Sequence, residues 1–275
     1  MSVLLHLSDT HFGTEQPPVV EALVAMALEL KPDLVVFSGD ITQRARRKQF
    51  ASARHFVDRL RAPALVLPGN HDIPLFNLWA RVLHPYANYA REFGADLDPI
   101  WESPDMLVVG VKTTRRYRHK DGEVSAEQTA RVVERLRRAT PSQLRIVVTH
   151  QPVHVIGTHD ESNVLRGAAA AVKAWAAAGA DLVLGGHIHL PFAVPLSERY
   201  PNLPREMWIA QAGTAVSARV RYEAPNSVNV VRNPAAGAET GYSIERWDYR
   251  ASASDGGGGV FARVAVTEAT RARLG

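Results

Sequence analysis

The stretch Leu65-Val66-Leu67-Pro68-Gly69-Asn70-His71-Asp72 decides how this chain is read. It opens with three aliphatic residues, as a buried strand does. Pro68-Gly69 then turns the backbone. Three polar side chains follow in a row: an amide, an imidazole and a carboxylate. A core has no use for that trio, whereas the mouth of a strand can present all three to a ligand. Four other apolar runs end in a similar way. Val3 to Leu7 leads into Asp9-Thr10-His11, and Asp33 to Phe37 leads into Gly39-Asp40. Leu144 to Val148 leads into Thr149-His150, and Asp181 to Leu184 into Gly185-Gly186-His187-Ile188-His189.

Between these runs, apolar residues recur at helical spacing over about 19–30, 48–61, 125–138 (behind a Ser125 cap) and 163–178. From residue 207 the pattern changes. Strand-like runs at 207–211, 216–222, 227–231, 242–248 and 260–266 follow one another across Pro, Asn and Gly turns. This predicts an α/β chain with an α+β, strand-rich end over 207–266 that supplies a second sheet. The polar ends span residues 9 to 189, so a boundary inside that range would split them, and one domain over 1–275 is expected. Residues 73–104 stand apart. Ile73-Pro74-Leu75-Phe76-Asn77-Leu78-Trp79 is apolar, and Tyr86, Tyr89, Phe93 and Trp101 follow. Short helices acting as core cover, or as a cap or partner surface, fit this composition.

The chain has 275 residues, a net charge of +4, 46% hydrophobic and 22% charged residues. That is the balance of a soluble globular protein with a mild preference for anionic substrates. The basic clusters 44–48 and 115–120 are too short to mark a dedicated nucleic-acid domain. With no cysteine, disulfides and thiolate metal sites are excluded. Met1 to Leu7 reads as a strand, not a signal peptide. The alanine-rich region 167–179 is interrupted by Lys173 and is too short to span a bilayer. The expected compartment is therefore the cytoplasm, with peripheral lipid contact and a homodimer left open.

The strand ends share one chemistry. Carboxylate, imidazole and amide oxygen are ligands that suit Mn, Fe or Zn. Asp-x-His and His-x-His place two side chains on one side of an extended backbone. Asp9, His11, Asp40, Asn70, His150, His187 and His189 are more candidates than one ion can use. Two ions sharing a carboxylate is the arrangement that fits, and such pairs serve displacement at phosphorus. His154 and His159, on the loop after His150, and Arg115, Arg116 and Arg118, in a basic loop after a strand, are candidates for binding an anionic substrate.

In this order, Asp9-x-His11, Gly39-Asp40, Gly69-Asn70-His71-Asp72, His150 and Gly186-His187-x-His189 resemble the motifs of the calcineurin-like metallophosphoesterases. Ala212-Gly213-Thr214-Ala215 and Asn226-Ser227-Val228-Asn229 are similar to segments of the bacterial cyclic-nucleotide phosphodiesterase branch. The resemblance implies a four-layer αββα sandwich of two mixed sheets between helices. It implies that Asp9, His11, Asp40 and His189 hold one metal and Asp40, Asn70, His150 and His187 a second, with a bridging hydroxide as nucleophile. It makes His71 a catalytic residue facing the phosphate and Asp72 its orienter. The implied activity is hydrolysis of a phosphodiester on a phosphorylated small molecule, 3′,5′-cyclic nucleotides included. A phospholipid or nucleotide-sugar pyrophosphatase is the enzymatic alternative, and a non-catalytic metal-binding scaffold the alternative of another class.

Overall fold

The computed structural model describes residues 1–221, 224–234, 241–252 and 258–271. The chain runs β1 (Ser2–Leu7), α1 (Pro17–Leu30), β2 (Leu34–Phe37), α2 (Arg47–Arg59), β3 (Ala64–Val66), α3 (Leu78–Leu83), α4 (Ala87–Phe93), β4 (Ile100–Glu102) and β5 (Met106–Gly110). It continues through α5 (Ala126–Arg138), β6 (Leu144–Val148), α6 (Ala168–Ala177), β7 (Leu182–Gly185), β8 (Phe192–Pro195), β9 (Trp208–Gln211), β10 (Ser227–Asn233), β11 (Gly241–Arg250) and β12 (Val260–Thr270). The strands form two six-stranded sheets, ordered β12-β11-β10-β1-β2-β3 and β4-β5-β6-β7-β9-β8. Both are mixed. β1, β2 and β3 are parallel while β10 joins β1 antiparallel. β5, β6, β7 and β9 are parallel while β4 and β8 close the edges antiparallel.

The central strands are apolar throughout because both faces are buried, and the period of two sorts their side chains between layers. In β1, Leu5 and Leu7 pack towards α1 and α2 with Leu23, Ala27, Phe50 and Phe56. Leu4 points the other way, into the layer between the sheets, with Leu34 and Val36 of β2 and Val108, Ile146 and Leu184 of the second sheet. Val147 and Val183 face outward onto Leu136 of α5 and Trp175 of α6. The result is two mixed sheets flanked by helices, as the resemblance implies. Ser125 caps α5 by accepting from Gln128 N–H while Gln128 bonds back to Ser125 N–H.

Several expectations need correction. The strand-rich end does not supply the second sheet by itself. β9 joins that sheet, but β10, β11 and β12 extend the first, because β10 finds its partner in β1. The second sheet comes mainly from the middle of the chain, and its edge strands β4 and β8 had no signal beyond three or four residues each. Residues 216–221 are not a strand; one bridge between Ser217 and Glu15 holds them, and Tyr222 lies outside the described residues. The helix expected from 163 starts only at Ala168, because Gly167 at φ 86° separates it from a 3-10 turn, Thr158–Asn163. In 73–104, α4 does cover core: Tyr89 is buried and packs with Phe50 and Phe93. α3 buries nothing.

Candidate metal centre

β1, β2, β3, β6 and β7 deliver their carboxyl ends to one edge of the sandwich, and within each sheet neighbouring loops are tied by backbone bonds. Asp9 N–H donates to Gly39 O, His11 N–H to Asp40 O, and Gly186 N–H to His150 O. The His150 ring bridges the sheets, its Nδ1 bonded to Ser38 O at 2.8 Å. Gly39 has φ 111°, and a Cβ there would lie 2.5 Å from the His150 ring, so only glycine lets the two loops close. Asp9, His11, Asp40, His187 and His189 have φ between 41° and 74°. Such backbone costs a non-glycine residue about 1–2 kcal/mol, and it persists where surrounding bonds over-determine it.

The strained loops aim their side chains at two points. Asp9, His11, Asp40 and His189 bring one ligand atom each within 4.8 Å of one another, and Asp40, His150 and His187 do the same beside them. Asp40 belongs to both. Its Oδ2 lies 3.8 Å from His11 Nε2 and its Oδ1 3.3 Å from His150 Nε2. Asn70 Oδ1 adds to the second group, 3.2 Å from the same nitrogen.

Hydrogen bonds leave lone pairs inside these groups. His150 Nδ1 donates to the Ser38 carbonyl and His189 Nδ1 to the Arg219 carbonyl, so each Nε2 faces inward unprotonated in the neutral ring. His11 Nε2 and His189 Nε2 then stand 3.1 Å apart. Both ring nitrogens of His187 are buried and lack a hydrogen-bond partner among the described residues, and Asp9 Oδ1 faces His189 Nε2 at 3.1 Å. Converging lone pairs and orphaned buried donors and acceptors are costly unless a cation joins them. The residues present therefore fit metal ions, one per group.

Electrostatics agree. Burial pushes His11 and His187 down to about 3, so both rings are neutral and ready to ligate. Burial opposes ionisation of Asp9 and Asp40 as well, but neighbouring imidazoles, His189 for the first and His150 for the second, hold both carboxyls below the usual range. Burial also disfavours charge on His150, yet the Asp40 carboxylate outweighs it and raises the ring to about 9. A metal must displace that proton. Affinity at the second group is therefore expected to rise with pH, by up to tenfold per unit, levelling off near pH 9. Calorimetric titration of manganese into metal-free protein, in buffers of different ionisation heat, reads both the affinity and the proton released. Affinity that stays constant between about pH 6 and 8 would contradict the ligand role of His150.

His71 lies beside the first group, 4.8 Å from the His11 ring. Asp72 does not orient it. The Asp72 carboxylate accepts from Ile41 N–H, Thr42 N–H, Thr42 Oγ1 and Gly69 N–H, which locks the Asp40 loop to the Asn70 turn. Burial and the nearby Asp40 charge push it up to about 7. The orienter is backbone: His71 Nδ1 bonds the Gln43 carbonyl at 3.0 Å. On its other side, His71 Nε2 meets the guanidinium of Arg219 at 3.2 Å, and the same nitrogen of Arg219 reaches Gln43 Oε1 at 3.0 Å and His11 Nδ1 at 3.5 Å.

Arg219 was not foreseen, since its segment read as a strand. It lines a cavity of about 610 Å³ that opens on His187 and His189, with Lys120, His159, Asn163 and Arg221 in its wall. His159, a candidate from the sequence, thus stands in the wall of this cavity. His154 does not line that cavity; it is buried against Phe192. The arginines of the basic loop are otherwise engaged. Arg118 is bound to Glu123 at 3.0 Å, Arg115 to Gln128, and Arg116 to the Val82 carbonyl.

A family model described as calcineurin-like phosphoesterase matches residues 2–191. Over 202 residues the chain is 26% identical to the cAMP/cGMP dual specificity phosphodiesterase MT0825 of Mycobacterium tuberculosis, which covers 68% of this chain and 61% of that protein. Over 81 residues it is 36% identical to the glycerophosphodiester phosphodiesterase GpdQ of Enterobacter lignolyticus, which covers 26% of this chain and 29% of that one. Each match spans less than two thirds of the relative's own length. Among solved structures, a dimetal phosphatase from Danio rerio superposes with a TM-score of 0.63 at 12% identity, over 98% of this chain and 99% of that one. A purple acid phosphatase from yellow lupin gives 0.65 at 12%, over 90% and 51%. At such identities the structures speak for the fold alone. The matched residues 2–191 enclose every strand end that feeds the two donor groups, and the chain belongs to the calcineurin-like phosphoesterase family.

Proposed function

We propose that this chain is a dinuclear-metal-dependent phosphodiesterase acting on a small organic phosphodiester. The observation that carries the reading is Asp40, whose two oxygens face two separate donor groups. Asp9, His11, Asp40 and His189 would hold one ion and Asp40, Asn70, His150 and His187 the other, with Mn, Fe or Zn suited to such donors. When bound, the ions supply water activated at neutral pH and positive charge for the phosphoryl oxygens.

The chain's own residues supply the rest. The Gln43 carbonyl fixes the His71 ring, so Nε2 is the atom presented to the leaving oxygen. With the Nδ1 hydrogen given to that carbonyl, the ring delivers a proton from Nε2 as the imidazolium, which makes an alkoxide a better leaving group and leaves the ring neutral. Arg219, in hydrogen-bond reach of that nitrogen and of Gln43, offers fixed donors to a non-bridging oxygen. The cavity beside them is of the size that takes a nucleotide-like ligand, and Lys120 and Arg221 add further cations to its wall.

Two relatives carry phosphodiesterase names, and the one with the longer match is named for cAMP and cGMP. A 3′,5′-cyclic nucleotide is therefore the first substrate to test, and a glycerophosphodiester the second. A panel on manganese-loaded protein should include both, with an aryl diester, an aryl monoester and a nucleotide-sugar pyrophosphate. The expected result is faster turnover of diesters than of the monoester; activity confined to the monoester would contradict the proposal.

Replacing Arg219 by alanine is expected to lower turnover by roughly 10²–10³, as loss of one oxyanion donor does, with metal content unchanged. Arg219→Lys should recover only part, because the bidentate fork is lost. Kinetics combined with elemental analysis checks this. A variant that loses metal together with activity would make Arg219 a structural support instead.

A further inference from the structure

Four residues after Asp72 the chain presents an apolar surface that the proposed chemistry does not use. Phe76 and Trp79 are each 80% exposed, and Leu78, Val82 and Leu83 more than half. All five belong to α3 or its approach, and α3 buries no residue in the fold. Single exposed apolar residues are ordinary, but a helix that exposes this whole set is not.

The surroundings identify what would cover it. The Arg44 guanidinium stacks over the Phe76 ring at 5.5 Å, joining the basic cluster 44–48 to the patch. Arg116 donates to the Val82 carbonyl, and Arg81 of α3 to the Arg118 carbonyl, joining the second basic cluster on the other side. Glu123 offsets Arg118 and Arg115, but no acidic residue occurs in 43–48, 73–91 or 112–120. An apolar face carrying an exposed Trp and Phe, rimmed by arginine and lysine, suits the boundary between acyl chains and anionic headgroups. A second copy of the chain fits worse. A two-fold contact would bring each basic rim against its own image.

We propose that Phe76 and α3 dock this protein on an anionic lipid surface, the apolar side chains entering the interface and the flanking arginines meeting headgroup phosphates. Gln43 holds His71 while its neighbour Arg44 covers Phe76, so docking would bring the metal centre close to the lipid surface. The proposal concerns binding alone and stands whether or not the proposed hydrolysis does.

Sedimentation of the full chain with vesicles tests it. Vesicles containing about 30% phosphatidylglycerol should bind at least about tenfold more strongly than pure phosphatidylcholine, and added salt should weaken the difference. Phe76→Ser/Trp79→Ser keeps the net charge and touches no buried residue. It should lower binding by on the order of 10²-fold while metal content and melting temperature stay unchanged. Equal binding to both vesicles, no binding to either, or a double variant that binds as well as the parent would overturn the proposal. So would self-association in solution that the double variant abolishes, since a second copy would then be the occupant.

Discussion

Asp40→Ala is expected to empty both metal positions at once and to lower turnover by on the order of 10³-fold or more. The size follows from what is lost: several kcal/mol of charge stabilisation at phosphorus, at one decade per 1.36 kcal/mol. The sharing follows from geometry, since Asp40, alone among the described residues, sends one oxygen towards each donor group. Asp40 Oδ1 also accepts from His71 N–H, so alanine would loosen the Asn70 turn. Asp40→Asn separates the two effects, because the amide oxygen can still accept that bond but brings no charge. Both variants should be scored by elemental analysis and by turnover of an aryl diester, with a melting curve to establish folding. A folded variant that keeps two tightly bound ions would show that Asp40 does not join the groups.

The second large effect belongs to His71. His71→Ala should retain both ions and lose roughly 10²–10⁴ in turnover, the span of a positioned general acid. The loss should depend on the leaving group. A nitrophenolate departs without a proton, so an aryl diester should suffer least, while an alkoxide such as a ribose oxygen should suffer most. The measurement is the ratio of parent to variant rates on the two kinds of ester. Equal losses would remove proton delivery and leave His71 a role in binding alone.

How far the sequence anticipates this site depends on how each residue is held. Asp9, His11, Asp40, Asn70, His150, His187 and His189 could be singled out because each follows an apolar strand, and parallel strands present their carboxyl ends together. Two-sided burial made those strands continuous apolar runs, so the alternating core was legible as well. Asp72 was misassigned because it follows His71 in sequence. The Asn70–Asp72 turn is a 3-10 helix, where successive side chains point about 120° apart. That rotation returns the carboxylate to Gly69 N–H and the Asp40 loop. Arg219 was hidden for the opposite reason. It sits in an irregular loop whose course is set by distant partners: Ala215 N–H on the Ser8 carbonyl, and the Arg219 carbonyl on His189. No local period encodes such contacts. The basic loop 113–122 misled because arginine there stabilises the loop itself, through Glu123 and Gln128.

The most direct test of the central claim is a metal count on the parent protein. Metal-free chain should be titrated with manganese, the bound ions per chain measured, and diester hydrolysis followed in parallel. Two donor groups that share one carboxylate predict saturation at two ions per chain, with activity absent from the stripped protein and appearing as the pair fills. Saturation at a single ion, or full turnover by protein stripped of metal, would contradict it.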